Sequence, residues 1–140
     1  MIFTLLLSVA LAAGPTSVRP RQLQDQAAAW AVDEDGEVVA LVDLEAGLWV
    51  GRGRLHRIGS LSFVPDQIAA GEHLLVARSD REGLTARTTW AVMPWSGRGA
   101  MKGAHDTPLI ASRGTGHGAV LLFHDVLLIV NLDKESQREI

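Results

Sequence analysis

Turn-forming residues recur along most of this chain every eight to twelve residues or so, an interval that leaves room for strands but not for ordinary helices. Asp33-Glu34-Asp35-Gly36, Leu44-Glu45-Ala46-Gly47, Pro65-Asp66-Gln67, Ser79-Asp80-Arg81-Glu82-Gly83 and Gly114-Thr115-Gly116-His117-Gly118 separate runs rich in Val, Leu, Ile, Trp and Thr. The clearest hairpin joins Trp30–Val32 to Glu37–Val42, because Asp-Gly readily takes the positive φ of a tight reversal. Leu48–Val50, Arg57–Val64, His73–Arg78 and Leu109–Ala111 read as further strands. In Leu84–Met93 the residues Leu84, Ala86, Thr88, Trp90 and Val92 alternate with Thr85, Arg87 and Thr89, the period of a half-buried strand. Ala119–Phe123 and Val126–Leu132 are continuous apolar runs and read as central strands buried on both faces. Pro94–Asp106, with Gly97, Gly99 and Gly103, reads as a long loop. The expectation is an all-β chain of about eight antiparallel strands, built as a sandwich, a barrel or a partial propeller-like array.

The two ends differ from the middle. Ile2–Ala10 is apolar, Ala10-Leu11-Ala12 places small residues where a signal peptidase inspects them, and Gly14-Pro15 follows. This is the layout of a secretory signal peptide, although no Lys or Arg precedes the apolar run. The run is too short for a membrane span, which needs about 20 apolar residues. The expected organisation is a signal peptide over 1–13, a linker over 14–26, a β domain over 27–133 and a disordered charged tail over 134–140. That places the mature chain in a bacterial periplasm or secreted, with no stable membrane anchor after cleavage.

Composition then narrows the function classes. Of 140 residues, 47% are hydrophobic and 21% charged, which excludes a disordered chain. A net charge of −3 argues against nucleic acid as a partner. Cysteine is absent, so there is no disulfide, no thiolate ligand for a metal, no cysteine nucleophile and no lipid-modified N-terminal cysteine. No cofactor is expected.

The residues that could carry chemistry are few. His105, Asp106, His117 and His124, with Asp125, are a metal-ligand or general-base set by type but not by spacing. On a straight strand His117 and His124 point to opposite faces and meet only if Gly118 bends it. Arg113–Gly118 resembles an anion cradle, yet lacks the Lys-Ser or Lys-Thr and the helix of a phosphate loop, and reads as a wide hairpin turn. Arg52, Arg54 and Arg57 form a basic patch that can face an acidic partner or pair with the acidic stretch Asp33–Glu45. Among Trp30, Trp49, Trp90 and Trp95, Trp95 between Pro94 and Ser96 is expected to be the exposed one. No serine sits in a nucleophile elbow.

One further pattern bears on architecture. Asp33–Leu44, Asp80–Trp90 and His124–Asp133 look alike, at offsets within the 40-to-50-residue range of propeller blades. His56, Ile58, Ser60-Leu61-Ser62-Phe63, Pro65-Asp66, Leu74-Leu75-Val76 and Ser79-Asp80 follow in the order used by WD40-type β-propeller repeats, which the chain resembles over His56–Trp90. The Trp-Asp pair of that family is replaced by Val42-Asp43 and Ile129-Val130-Asn131. The resemblance implies a protein-interaction scaffold without chemistry of its own, yet closure takes about four blades and the chain supplies two or three. The leading functional expectation is an exported, non-enzymatic β-domain with a protein-binding or structural role in the cell envelope, its partner another protein or itself. The alternatives are a small metal-dependent β-fold hydrolase using the late His/Asp cluster, and a truncated propeller fragment.

Overall fold

The computed structural model describes residues 17–83 and 85–140. The expected signal peptide, the first residues of the linker and Leu84 lie outside the described residues. The described chain is all-β, with thirteen strands and one 3-10 helix. The strands are β1 (Ser17–Val18), β2 (Ala27–Val32), β3 (Val39–Asp43), β4 (Gly47–Gly51), β5 (Leu55–Ser60), β6 (Gln67–Ala70), β7 (Leu74–Glu82), β8 (Thr85–Met93), β9 (Met101–His105), β10 (Leu109–Gly114), β11 (Gly118–Phe123), β12 (Leu127–Asn131) and β13 (Ser136–Glu139).

They form three antiparallel sheets, β1-β5-β4-β3-β2, β6-β7-β8-β9 and β10-β11-β12-β13, none closed into a barrel. Each sheet contains four consecutive strands laid side by side in chain order. The first strands of these meanders start at Ala27, Gln67 and Leu109, offsets of 40 and 42 residues. These first strands are also neighbours in space: β2 runs beside β6, and β10 beside β6 and β7.

The sheets stack through two apolar cores, and the stack has a direction. Ala40, Val42 and Leu48 of the first sheet face forward onto Leu74, Val76, Ala91 and Met93 of the second. Leu75, Ala77, Trp90 and Val92 of the second sheet face forward onto Leu109, Ala119, Leu121, Phe123, Leu128 and Val130 of the third. A third cluster lies on the backward face of the first sheet, where Leu23 of the 3-10 helix (Pro20–Gln26) covers Leu41, Trp49 and Leu55. Pro20 suits that helix because its ring fixes φ and it needs no N–H partner in the first turn. The Gln22 side chain accepts the N–H of Arg19 at 2.8 Å.

The second sheet is therefore buried on both faces, through β7 and β8, as is the first through β3 and β4, where Ala40, Val42 and Leu48 face forward and Leu41 and Trp49 backward. Two-sided burial was expected of Ala119–Phe123 and Val126–Leu132 instead, and the structure corrects this. In β11 and β12 the residues Val120, Leu127 and Ile129 are half-buried, and Leu122 is 41% exposed.

Four strands escaped the sequence reading. The expected loop Pro94–Asp106 holds β9, because Gly103 is a packing residue and not a turn residue. A Cβ there would lie 2.3 Å from Cζ2 of Trp90, its partner across the ladder. Residues 134–140, expected as a disordered tail, carry β13, which pairs Ser136–Glu139 with Leu128–Asn131. The last residue is tied as well: Ile140 donates its N–H to Leu127 O at 2.8 Å. The linker reading of 14–26 gives way over its described part to β1, paired with β5, and the 3-10 helix. Short β6 follows directly on the Pro65-Asp66-Gln67 break.

Candidate functional site

The four residues proposed as metal ligands do not converge. His117 and His124 flank the two ends of β11, which pairs with β12 in unbroken register. At about 3.3 Å per residue they lie on the order of 20 Å apart, and Gly118 does not bend the strand. His117 Nδ1 lies 2.6 Å from Asp133 Oδ2, and both side chains are exposed. His105 is bonded to Asp125 rather than to Asp106, which lies in a separate depression beside Asp80 and Arg87. Among the described residues no three His, Asp or Glu side chains meet in a way that could hold a metal ion.

His105 and Asp125 instead end a polar thread that ties the second sheet to the third. His105 Nε2 and Thr107 Oγ1 both lie 2.9 Å from Asp125 Oδ1. An ionised carboxylate only accepts, so each of those groups donates. Thr88 Oγ1 donates to Thr107 O at 2.9 Å. That uses its one proton, so Ser79 Oγ, 3.2 Å away, donates to Thr88. Thr88 is the one fully buried polar side chain among the described residues, and the thread satisfies it. Phe123 packs its ring on His105 at 4.4 Å. The hydrogen bonds from His105 and then Thr107 hold the Asp125 carboxyl below the ordinary carboxylate range.

Asp43 occupies the matching hairpin turn of the first sheet, between β3 and β4, as Asp125 does between β11 and β12. Its Oδ1 accepts the N–H groups of Glu45 and Gly47, each at 2.8 Å, and Oδ2 accepts Trp49 Nε1 at 2.9 Å. Ala46 carries the left-handed conformation of this turn, φ 64°. Partial burial raises the Asp43 pKa, but the Trp49 indole, the two backbone donors and nearby Arg57 outweigh it and the net shift is downward.

A pH dependence follows from these two carboxylates. Their folded pKa values lie below the unfolded ones, so each contributes its full stabilisation above the unfolded value and loses it as pH falls through the folded value. Thermal melting is expected to hold level from neutral pH to about pH 4 and to fall below it. The D43N/D125N variant should start lower and show a flatter acid limb. A variant whose melting temperature tracks the parent through the whole range would show that neither carboxylate is coupled to folding.

The basic patch is occupied from within. Arg52 pairs with Glu37 at 2.6 Å, Arg54 donates to Ser17 Oγ and Ser17 O at 2.7 and 2.9 Å, and Arg57 donates to Ser60 Oγ at 2.9 Å. The expected pairing with the acidic stretch is thus present at Arg52. Trp95 is not the exposed tryptophan: it is half-buried and donates its indole N–H to Gly71 O at 2.8 Å. Trp30, in the first hairpin, is 64% exposed. The glycine-rich stretch is a hairpin turn whose N–H groups are used locally, since Thr115 Oγ1 accepts from Gly118 at 3.1 Å and Thr115 N bonds Gly118 O at 2.9 Å.

Two concave surfaces involve Trp30. An open cleft of about 470 Å³ lies between the first strands of the three sheets, at Ala28, Trp30, Asp66, Ile68 and Ser112. A groove of about 360 Å³ separates the 3-10 helix from β2, lined by Arg21, Gln24, Trp30, Val39 and Leu41. Compared with protein-family models, with curated proteins and with solved structures, the chain matches none.

Proposed function

We propose that this chain is an exported protein-binding domain of the cell envelope, built as a propeller-type array of three blades. The observation that carries the reading is where the apolar surface lies. Among the described residues, seven large hydrophobic side chains are exposed. Trp30 and Val32 lie on the backward face of the first sheet, while Leu122 and Ile140 lie on the forward face of the third. Ile110 lies on the bulge next to Ala111, the cross-strand partner of Leu122. Five of the seven thus sit on the two end faces, a concentration that marks interaction surface. Of the polar groups that could serve catalysis, His105 and His117 are meanwhile engaged by Asp125 and Asp133.

Support for the blade reading comes from the four-strand meanders, the offsets of 40 and 42 residues and the adjacency of the first strands. Support for export is the apolar Ile2–Ala10 run with Ala10-Leu11-Ala12 behind it.

The test is site-specific photo-crosslinking in a bacterial host, with the label at Leu122, at Trp30 or, as a control, at exposed Arg78. Discrete adducts from the first two positions but not the third, on a product lacking its first 12 or 13 residues, are expected. Labelling that is equal at all three positions would sink the binding role, and an unprocessed cytoplasmic product would sink export.

A further inference from the structure

We infer that the forward face of the third sheet seats an acidic amphipathic helix of a partner protein, the helix laying its apolar stripe along β11 and β12 and its carboxylates against Arg113 and Arg138 at the two edges. The inference rests on the binding role proposed above and adds the chemistry of the partner.

The register of the sheet decides which side chains share this face. Leu121, Phe123, Leu128 and Val130 point backward into the core with the second sheet. Alternation then puts Val120, Leu122, Leu127 and Ile129 forward. They form two cross-strand pairs in the middle of the sheet, Val120 with Ile129 and Leu122 with Leu127. Exposed Ile140 extends the second pair, since its backbone exchanges both hydrogen bonds with Leu127. Arg113 lies opposite Val120 and Arg138 opposite Ile129, so one rung reads Arg113, Val120, Ile129, Arg138 from edge to edge. Both arginines are exposed, and neither has an ion pair among the described residues. No carboxylate on these strands balances them: Glu139, the one acidic strand residue, pairs with Leu128 and so faces backward. An uncharged apolar stripe therefore runs along the strands between two unpaired cations.

The dimensions suit a helix. With about 4.8 Å between strands, the two arginine backbones stand about 14 Å apart, and a helix with its side chains is about 10–12 Å across. The stripe is about 15 Å long, the length of about ten helical residues. Side chains at i, i+3, i+4 and i+7 then cover it. Acidic residues on both flanks meet a guanidinium, whose fork takes a carboxylate through two hydrogen bonds. The charges disfavour the other occupants. In a second copy stacked face to face on the stripe, a two-fold axis in the contact plane, whether along the strands or across them, sets arginine on arginine, which is repulsive. An anionic membrane calls for a cluster of basic residues, whereas this face offers two on a chain of net charge −3.

The probes are two synthetic helical peptides with the same leucine stripe, one flanked on both sides by glutamate and the other by lysine, titrated calorimetrically into the full chain. The glutamate peptide is expected to bind at least about tenfold more tightly than the lysine peptide. Leu122→Glu, at an exposed position, should weaken it at least about tenfold. The double variant Arg113→Glu/Arg138→Glu should prefer the lysine peptide; both variants are checked for folding by circular dichroism. Equal affinities of the parent for the two peptides, no binding of either at about 1 mM, or a folded double variant that keeps the parent's preference would overturn the inference. A dimer in light scattering that Leu122→Glu disperses would overturn it in favour of a second copy. Binding to phosphatidylglycerol vesicles that the same variant abolishes would overturn it in favour of a membrane. Discrete protein adducts at Leu122 on a chain that fails the peptide test would refute the acidic helix while leaving the binding role intact.

Discussion

Trp90→Ala is expected to lower the free energy of unfolding by about 3–5 kcal/mol, a large part of what a domain of this size has. Trp90 is 1% exposed and lies in the core that joins the second and third sheets, among Leu75, Val92, Leu121, Phe123 and Val130. Its indole rests on the backbone of Gly103, the residue opposite it on β9. Removing the ring leaves a void between two sheets whose separation is held by the remaining side chains, so the walls cannot collapse into it. The reciprocal change Gly103→Ala forces a methyl against the same ring and is expected to cost about 1–3 kcal/mol. Urea titration followed by circular dichroism measures both. A loss below about 1.5 kcal/mol for Trp90→Ala would mean that the indole is not the wedge between these sheets.

The second large effect is expected at Gly118. A Cβ there would lie 2.1 Å from Val130 O and 3.0 Å from Val130 C. The obstacle is main chain inside the β11–β12 ladder, where Ala119 pairs with Val130, and it cannot retreat without opening that ladder. Gly118→Ala is therefore expected to cost at least about 2–3 kcal/mol, at the upper end of ordinary overpacking. Gly116→Ala is the control: the nearest obstacle is the Glu72 carboxylate at 2.9 Å, the far end of a flexible exposed side chain. That variant should stay within about 0.5 kcal/mol of the parent. Equal losses at the two positions in urea titration would show that conformational freedom of the turn matters there, and not space.

These glycines also show what could be read in advance. Turn chemistry reports local backbone needs, and at Asp33–Gly36 and Glu82–Gly83 it marked true reversals, with Gly36 and Gly83 at positive φ. A glycine kept for lack of a side chain leaves the same letter for a different cause. Gly103 thus looks like loop in the sequence, although the bulk that explains it, Trp90, lies on another strand. The charged string Lys134–Glu139 looked like a tail because nothing in it is apolar, yet an outer strand needs only backbone partners, which Leu128–Asn131 provide.

The site was less legible than the fold. Asp43 and Trp49 are near in sequence and could have been paired as a turn carboxylate and an indole donor. Asp125, His105, Thr107 and Thr88 come together only across two sheets, and no spacing rule forecasts that. The continuous apolar runs of β11 and β12 suggest burial on two faces, yet among the described residues no sheet packs on their second face, where Leu122 is 41% exposed.

Among the described residues every ladder but one joins strands adjacent in the chain, the exception being β1 on β5, where Ser17 meets His56. Hairpin-by-hairpin pairing keeps loop-closure entropy small, so each meander can zip up as soon as its own residues are free to move. The clasp of β1, fixed by Arg54 on Ser17, needs a loop of nearly forty residues to close first. It is the natural last step of assembly and the first contact to be lost when the chain is pulled from its N-terminal end.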